Sequence, residues 1–263
     1  MVKVLCLLKQ LELTMLKIER QAFILHQVNL HNKVLSTELS KQIRVSDDTI
    51  RRDIQQLAEI GKIIKVHGGA LSPSFHNTHS SSNDVYAYNQ KKIIAQKAIS
   101  LIKDGMVVLT TGGTTIIEMA RALPPELHAT FISGSIPALA EYIVHPTIEV
   151  IAIGDKISKD SKITVGSDAI SRIRELKVDL CFLGVSAINL ETGVSDNDWE
   201  VVQIKKAMVE SSEKLVCLTI SEKINSRQPF QVCESKKIDT LITELAPDDP
   251  LLNSYTRAGI NVL

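Results

Sequence analysis

The 263-residue sequence carries no net charge: its 30 Lys and Arg balance its 30 Asp and Glu. A whole-molecule field that would draw nucleic acid or an anionic surface is therefore missing, and only local charge can indicate a partner. The four cysteines, Cys6, Cys181, Cys217 and Cys233, are widely spaced and form no C-x-x-C pair. That argues against a disulfide framework or a zinc site and suits a reducing cytoplasm. No stretch approaches the roughly 18 apolar residues of a membrane span. The run "VLCLL" near the N-terminus is too short for a signal-peptide core, and "KQLE" breaks it at once. The expectation is a cytoplasmic protein with no membrane contact. Its 44% hydrophobic and 23% charged residues are those of an ordinary globular protein, long enough for a small domain beside a larger one.

Three textures divide the chain. Residues 1–14 form a Leu-rich N-terminal extension. Residues 15–70 hold three helical patterns followed by a β-like tail, and residues 71–84, "LSPSFHNTHSSSND", have the Ser- and Asn-rich composition of a linker. His76 and His79 stand three apart there, but nothing nearby supplies the further ligands a metal needs. No metal and no cofactor is expected. From residue 85 to 263, helical stretches such as "QKKIIAQKAISLI" and "IIEMARAL" lie between short apolar runs: "MVVLT", "ATFIS", "IEVIAI", "VDLCFLGV", "KLVCLTI", "IDTLIT" and "INVL". Short β-branched runs alternating with helices predict a mostly parallel, Rossmann-like α/β domain of about seven strands, covered on both faces.

Within residues 15–70, nine Lys and Arg face six Asp and Glu, a local excess of +3 compatible with a phosphate partner. A first helix is expected over Lys17–Leu30, with Ile18, Phe23, Ile24, Val28 and Leu30 apolar. Ser36 is a candidate N-cap for a second helix, "TELSKQI", whose Leu39 and Ile43 are four apart. "RV" makes a short turn. Ser46 then caps a third helix with Asp47 and Asp48 in its first turn, where the helix dipole favours carboxylates. Ile50, Ile54 and Leu57 form its buried stripe and Gly61 its stop. Two short helices joined by a tight turn make a helix-turn-helix, whose second helix enters the major groove. Thr49, Arg51 and Arg52 lie on its polar side, and arginine can bond guanine edges or clamp phosphates. The tail "KIIKVHGGA" suits a β-hairpin wing, with Lys62, Lys65 and His67 available for the DNA backbone. The competing reading of these charges is a solvated helix face.

The run "VSDDTIRRDIQQLAEIGKIIKVHGGA" resembles the N-terminal signature of the DeoR family of bacterial transcriptional regulators: V-S-x-x-T-I-R-R-D-L, L-x-x-x-G and a wing ending in H-G-G-A. "ERQAFILHQV" is similar to its opening E-R-x-x-x-I-L. The resemblance implies a winged helix-turn-helix that binds double-stranded operator DNA through Ser46, Thr49, Arg51 and Arg52. Ser36 is counted with these candidates. Asp53 is expected to partner a nearby basic group, since phosphate would repel it. Family members begin near Met15, so residues 1–14 are expected to reflect an upstream start codon.

"MVVLTTGGTTIIEMARAL" reads as a strand, a Gly-Thr turn and a helix, which together offer free N–H groups, hydroxyls and a positive dipole end to an anion. It lacks the G-K-[ST] ending of a P-loop. The DeoR resemblance extends to Leu263 and implies an effector domain similar to ribose-5-phosphate isomerase that binds phosphorylated sugars or related metabolites. The family's landmarks fall on Thr111 to Thr115, Ser133-Gly134-Ser135, Gly154-Asp155, Gly166, "GVSAINLETGVS", "KKAM" and Ile220-Ser221-Glu222-Lys223. The implied effector residues are Thr111, Gly113, Thr114, Thr115, Ser133, Ser135 and Gly154, with Lys205 and Lys223 as countercharges. Four positions depart from the family: Thr111 and Ile220 replace Asp, Gly134 replaces Asn, and Asp155 replaces Gly. The two lost carboxylates are natural acceptors for sugar hydroxyls.

The expected function is a homo-oligomeric regulator, a repressor of a carbohydrate operon relieved by an anionic metabolite. Two alternatives stand beside it: a sugar-phosphate isomerase-like enzyme, and a regulator whose degenerate pocket serves only oligomerisation. Isomerisation needs a positioned base. Of the remaining acids, Asp155, Asp196, Asp198 and Glu200, no motif organises one.

Overall fold

The computed structural model describes residues 15–31, 33–73 and 85–263. The N-terminal extension and most of the linker, with His76 and His79, lie outside the described residues. The chain divides into two compact units, Met1–Asn77 and Thr78–Leu263.

The first unit runs α1 (Lys17–His31), β1 (Lys33–Leu35), α2 (Ser36–Ile43), α3 (Asp47–Glu59), β2 (Ile64–Val66) and β3 (Gly69–Leu71). Ile24 and Val28 of α1, Leu39 of α2 and the Ile50/Ile54/Leu57 stripe of α3 form its core. Ile18 is 82% exposed, because burial along α1 begins only at Ile24. The turn between α2 and α3 is made by Arg44, in the left-handed region at φ 54°. The three strands form an antiparallel sheet in the order β1–β3–β2. At Gly69 an added Cβ would lie 1.9 Å from the Val34 carbonyl oxygen, so β1 and β3 can approach only across a glycine. Leu71, expected to open the linker, instead closes β3. It is buried because it sits opposite both Lys33 and Ile64.

The second unit begins with α4 (Tyr88–Ile99), β4 (Val107–Thr110), α5 (Thr114–Arg121), β5 (Thr130–Ser133), α6 (Ile136–Tyr142) and β6 (Glu149–Ala152). It continues with β7 (Lys156–Ser158), β8 (Ile163–Val165), α7 (Ser167–Arg174), β9 (Val178–Gly184), β10 (Ala187–Asn189) and β11 (Gly193–Asp196). Last come α8 (Trp199–Glu210), β12 (Ser212–Leu218), β13 (Phe230–Cys233), β14 (Thr240–Ile242), α9 (Asn253–Arg257) and β15 (Asn261–Val262). A seven-stranded parallel sheet has the order β15–β14–β12–β9–β4–β5–β6. Its strands are the seven apolar runs of the sequence. Two small antiparallel sheets, β7–β8 and β10–β11–β13, flank it. These strands are three or four residues long and carry no sustained alternation, so periodicity did not signal them.

From β4 the chain moves to β5 on one side, and β9 later pairs on the other side. The crevice beyond the carboxyl ends of β4 and β9 is thus a topological switch point, where open α/β sheets bind ligands. No helix among the described residues is long and apolar enough to cross a membrane.

Candidate functional site

Two constellations carry chemistry, one in each unit. In the first, Ser46 caps α3: its Oγ accepts from the Thr49 N–H at 3.2 Å and lies 2.8 Å from the Thr49 hydroxyl. This fixes the helix start and satisfies an otherwise orphaned donor. One turn on, Arg51 pairs with Asp47 at 2.6 Å and Arg52 with Asp48 at 2.8 Å, with the arginine side chains 63% and 78% exposed. Such exposed i,i+4 pairs are worth at most about 1 kcal/mol, so a phosphate or base edge can replace the carboxylates readily. Lys62, Lys65 and His67 are exposed on the wing, and Lys65 Nζ donates to Gln55 Oε1 of α3 at 2.7 Å. Between α3 and the wing lies a notch of about 220 Å³ lined in part by Ser36, Arg51, Lys65 and His67.

Ser36 departs from its expected role. Leu35 occupies the N-cap position of α2, and Ser36 is the first helical residue. Its N–H donates to the Gly68 carbonyl at 2.8 Å, and its buried Oγ has no hydrogen-bond partner. The wing's approach takes Ser36 out of solvent. Asp53 is buried and ion-paired with the Arg20 side chain, which also reaches the Met15 carbonyl. Asp53 thus pins α3 to α1 and does not face DNA.

In the second unit, Gly113 stands at the N-cap of α5 with φ 115°, a conformation that favours glycine. Thr114 is buried, and Thr115 half-buried, in the first turn. Two lysines bond carbonyls at the carboxyl end of β9, and a third lies near enough to feel the charge of one of them. Lys205 Nζ donates to the Gly184 carbonyl at 2.9 Å and to Asp196 Oδ2 at 2.6 Å. The half-buried Lys223 donates to the neighbouring Val185 carbonyl at 3.2 Å. Lys91 of α4, absent from the sequence-derived candidates, is buried and donates to the Tyr86 carbonyl at 2.5 Å. Neither Lys91 nor Lys223 forms an ion pair among the described residues. Burial and the nearby Lys223 ammonium push Lys91 down to about 7, against the weaker pull of Glu118 and Glu222. Burial and the Lys205 charge push Lys223 down to about 8. For Asp196, burial raises the carboxyl, but the Lys205 ammonium and hydrogen bonds from Lys205, Ser186 and the Asn197 N–H outweigh it and hold it below the ordinary value. The signal for Lys91 was available: it shares a helix face with Ile94, Ala95 and Ala98, at spacings of three, four and seven.

Other predicted effector residues are placed differently. Thr111 is fully buried, and its hydroxyl accepts from the Gly184 N–H at 2.8 Å and reaches the Phe182 carbonyl at 3.4 Å. It staples the β4 turn to β9 and is not aimed at a ligand. Ser133 Oγ, also buried, donates to the Thr110 carbonyl at 3.0 Å and accepts from the Ser135 N–H. Ser135 is the buried N-cap of α6. Gly154 is exposed after β6, separated from β4 by β5. Two departures from the family pattern have structural explanations. Asp155 accepts from the Asp168 and Ala169 N–H groups and so caps α7, lying where a Cβ on Gly166 would stand. Gly134 faces Thr164, whose N–H and hydroxyl both donate to its carbonyl. Ile220 is buried. Asp198 caps α8, and Glu200 pairs with Lys156 at 2.9 Å. Among the described residues no group of three or more His, Cys, Asp or Glu could hold a metal ion.

A winged helix-turn-helix unit followed by an α/β unit with lysines at the carboxyl end of β9 is the architecture of a DNA-binding regulator with a sensor domain. Residues 20–75 match the DeoR-like helix-turn-helix domain and residues 86–245 the DeoR C-terminal sensor domain. The chain belongs to the DeoR family of transcriptional regulators. It is 30% identical over 247 residues to the HTH-type transcriptional repressor GlcR of Bacillus subtilis, covering 93% of this chain and 95% of that protein. It is also 30% identical over 216 residues to the glycerol-3-phosphate regulon repressor of Haemophilus influenzae, covering 81% and 84%. Among solved structures, the ribose 5-phosphate isomerase A of Methanocaldococcus jannaschii aligns over 55% of both chains at 20% identity and a TM-score of 0.39.

Proposed function

We propose that this regulator is a cytoplasmic repressor of a carbohydrate operon, released from its operator when a phosphorylated or similarly anionic metabolite enters the crevice between β4 and β9. On the DNA side, α3 presents Ser46, Thr49, Arg51 and Arg52 to the major groove, while Lys62, Lys65 and His67 contact backbone phosphates. Paired half-sites require paired recognition helices, so the operator is bound by a homo-oligomer.

The observation that carries the effector reading is the pair of ammonium groups on Lys91 and Lys223. Both are withdrawn from bulk water, and each has only a main-chain carbonyl as hydrogen-bond acceptor. A buried cation without a counterion is costly, and an incoming dianion offsets that cost for both at once. The N–H groups behind Gly113 and the hydroxyls of Thr114 and Thr115 supply further donors. Lys205 is already neutralised by Asp196 and acts by holding the crevice wall. Differential binding then shifts the protein toward an arrangement that does not match the half-sites.

Catalysis is not part of the proposal: Glu118 and Glu222, the acids that act on Lys91, pair with Arg121 and accept from the Tyr86 hydroxyl, and the four acids singled out in the sequence also have other work. Asp155 and Asp198 cap helices, Asp196 neutralises Lys205, and Glu200 pairs with Lys156. None is left as a positioned base.

Thermal-shift titration with a panel of sugar phosphates, and with sulfate as a plain dianion, tests the reading. A rise in melting temperature that Lys91→Met and Lys223→Met abolish supports it. No stabilisation by any anion favours the degenerate pocket, consistent with the carboxylates missing at Thr111 and Ile220.

A further inference from the structure

Among the described residues β6 ends the parallel sheet and pairs on one side only, with β5. Parallel sheets are ordinarily covered on both faces, with edges blunted by lysine, proline or bulges. β6 has the sequence Glu-Val-Ile-Ala, none of these devices, and three exposed residues out of four. Of the eight large hydrophobic side chains exposed among the described residues of this unit, five lie between residues 136 and 157: Ile136, Ile143, Val144, Ile151 and Ile157. Topology places them along one edge. Ile143 and Val144 directly follow the helix that packs on β6, Ile136 begins it, and Ile157 lies in the strand after β6. A concentration of exposed apolar side chains beside an unpaired strand marks an interaction surface.

We infer that this edge joins two copies of the chain, β6 pairing antiparallel with β6 of the second copy about a two-fold axis at Ile151. The clause that needs a second copy rests on the operator reading above; the geometry rests on the strand. The Glu149 N–H donates to the Ala129 carbonyl and the Ile153 N–H to the Ser133 carbonyl, both toward β5. By the two-residue period of a strand, Val150 and Ala152 therefore direct their main-chain N–H and C=O groups outward. An isologous antiparallel pair places outward-bonding residues opposite each other, so Val150 meets Ala152 of the second copy. Ile151 then faces its own copy in a non-hydrogen-bonded pair, where side chains come closest. Glu149 falls opposite Ile153, so no like charges oppose each other. The apolar groups beside the two ends of β6 also meet across the axis, because the N-terminal end of one strand lies against the C-terminal end of the other. Two seven-stranded sheets thereby become one continuous sheet.

Sedimentation velocity on the full chain, without DNA or effector, tests this. The wild type is expected to be a dimer at micromolar concentration, and Ile151→Lys a monomer with unchanged circular dichroism and a melting temperature that no longer rises with protein concentration. Ile151→Cys in a Cys6→Ser background keeps the apolar character and reads the geometry directly. A non-hydrogen-bonded pair has Cα atoms about 4.5 Å apart, inside the range a disulfide spans. The described native cysteines are buried, so mild oxidation should yield a covalent dimer for Ile151→Cys and little for Glu149→Cys. A dimer that survives Ile151→Lys, or equal cross-linking of the two cysteine variants, overturns the surface alone. A wild type that is monomeric at tens of micromolar overturns the surface and the oligomeric operator reading together.

Discussion

On α3 the arginines stand in water, tied loosely to carboxylates one turn away; in the second unit, the ammonium groups of the buried Lys91 and the half-buried Lys223 donate to main-chain carbonyls. The same charge does different work in the two places. Arg51 and Arg52 are largely solvated, so their present partners contribute little and can be exchanged. Lys91 and Lys223 have already lost much of their water, and Lys205 is retained only through Asp196. A reading head made of exposed charge tolerates substitution without unfolding. A sensor made of buried charge couples its ligand to its own stability.

The strongest way to break that contrast is to attack buried pairs in both units. Asp53→Ala strands Arg20 and Asp196→Ala strands Lys205, and loss of one partner of a buried pair costs about 3–5 kcal/mol. Urea denaturation of the full chain should show the first change acting on the DNA-binding unit and the second on the sensor. A loss below about 1 kcal/mol at either site would place these pairs with the exposed ones.

Next in size is the DNA contact. Arg51→Ala or Arg52→Ala should weaken operator binding by about 1–3 kcal/mol if the side chain reads a base edge, measured by fluorescence anisotropy on a selected operator. The melting temperature should barely move. Unfolding instead of weaker binding would mean that the exposed arginines hold the helix.

The crevice responds in the opposite sense. Lys91→Met should abolish stabilisation by sulfate while leaving the ligand-free protein as stable or more so at pH 6, because it removes a buried ammonium. Operator affinity without effector should stay within a factor of about two, by the additivity of distant sites.

The smallest effect is a pH dependence whose two parts have opposite signs. Lys91 and Lys223 lose protons in the folded protein at about 7 and about 8, below the ordinary lysine value of 10.5. Between those values the unfolded chain binds more protons, so these groups make the fold more stable as pH rises. Anion binding needs them protonated, so sulfate stabilisation should fade between pH 6.5 and 9. A sulfate effect that stays constant over this range would show that the lysines are not its partners.

Much of this was legible before the structure. The Ile50/Ile54/Leu57 stripe, the Ser46 cap and the two arginines depend on residues within one helix, and each of the seven apolar runs became a strand of the parallel sheet. Asp53 was read as a structural partner, although its distance from Arg20 in the chain hid which base it would meet. Ser36 and Thr111 show where such reading stops. Both are hydroxyls at plausible turn positions, and in both cases a distant segment, the wing or β9, arrived and claimed the site. Lys91 was passed over because a lysine on an amphipathic helix usually lies on the wet face; its place on the dry one was the available warning.

Local spacing thus determined the elements, the family and which side chains α3 leaves exposed, because helix and strand periods and caps are properties of neighbours in sequence. Only the tertiary structure decided which polar groups remain available to a ligand. Burial and hydrogen-bond satisfaction depend on what packs against a side chain from far along the chain. That is why the proposed effector contacts are Lys91 and Lys223, while the Thr111 and Ser133 hydroxyls are already engaged by main-chain groups.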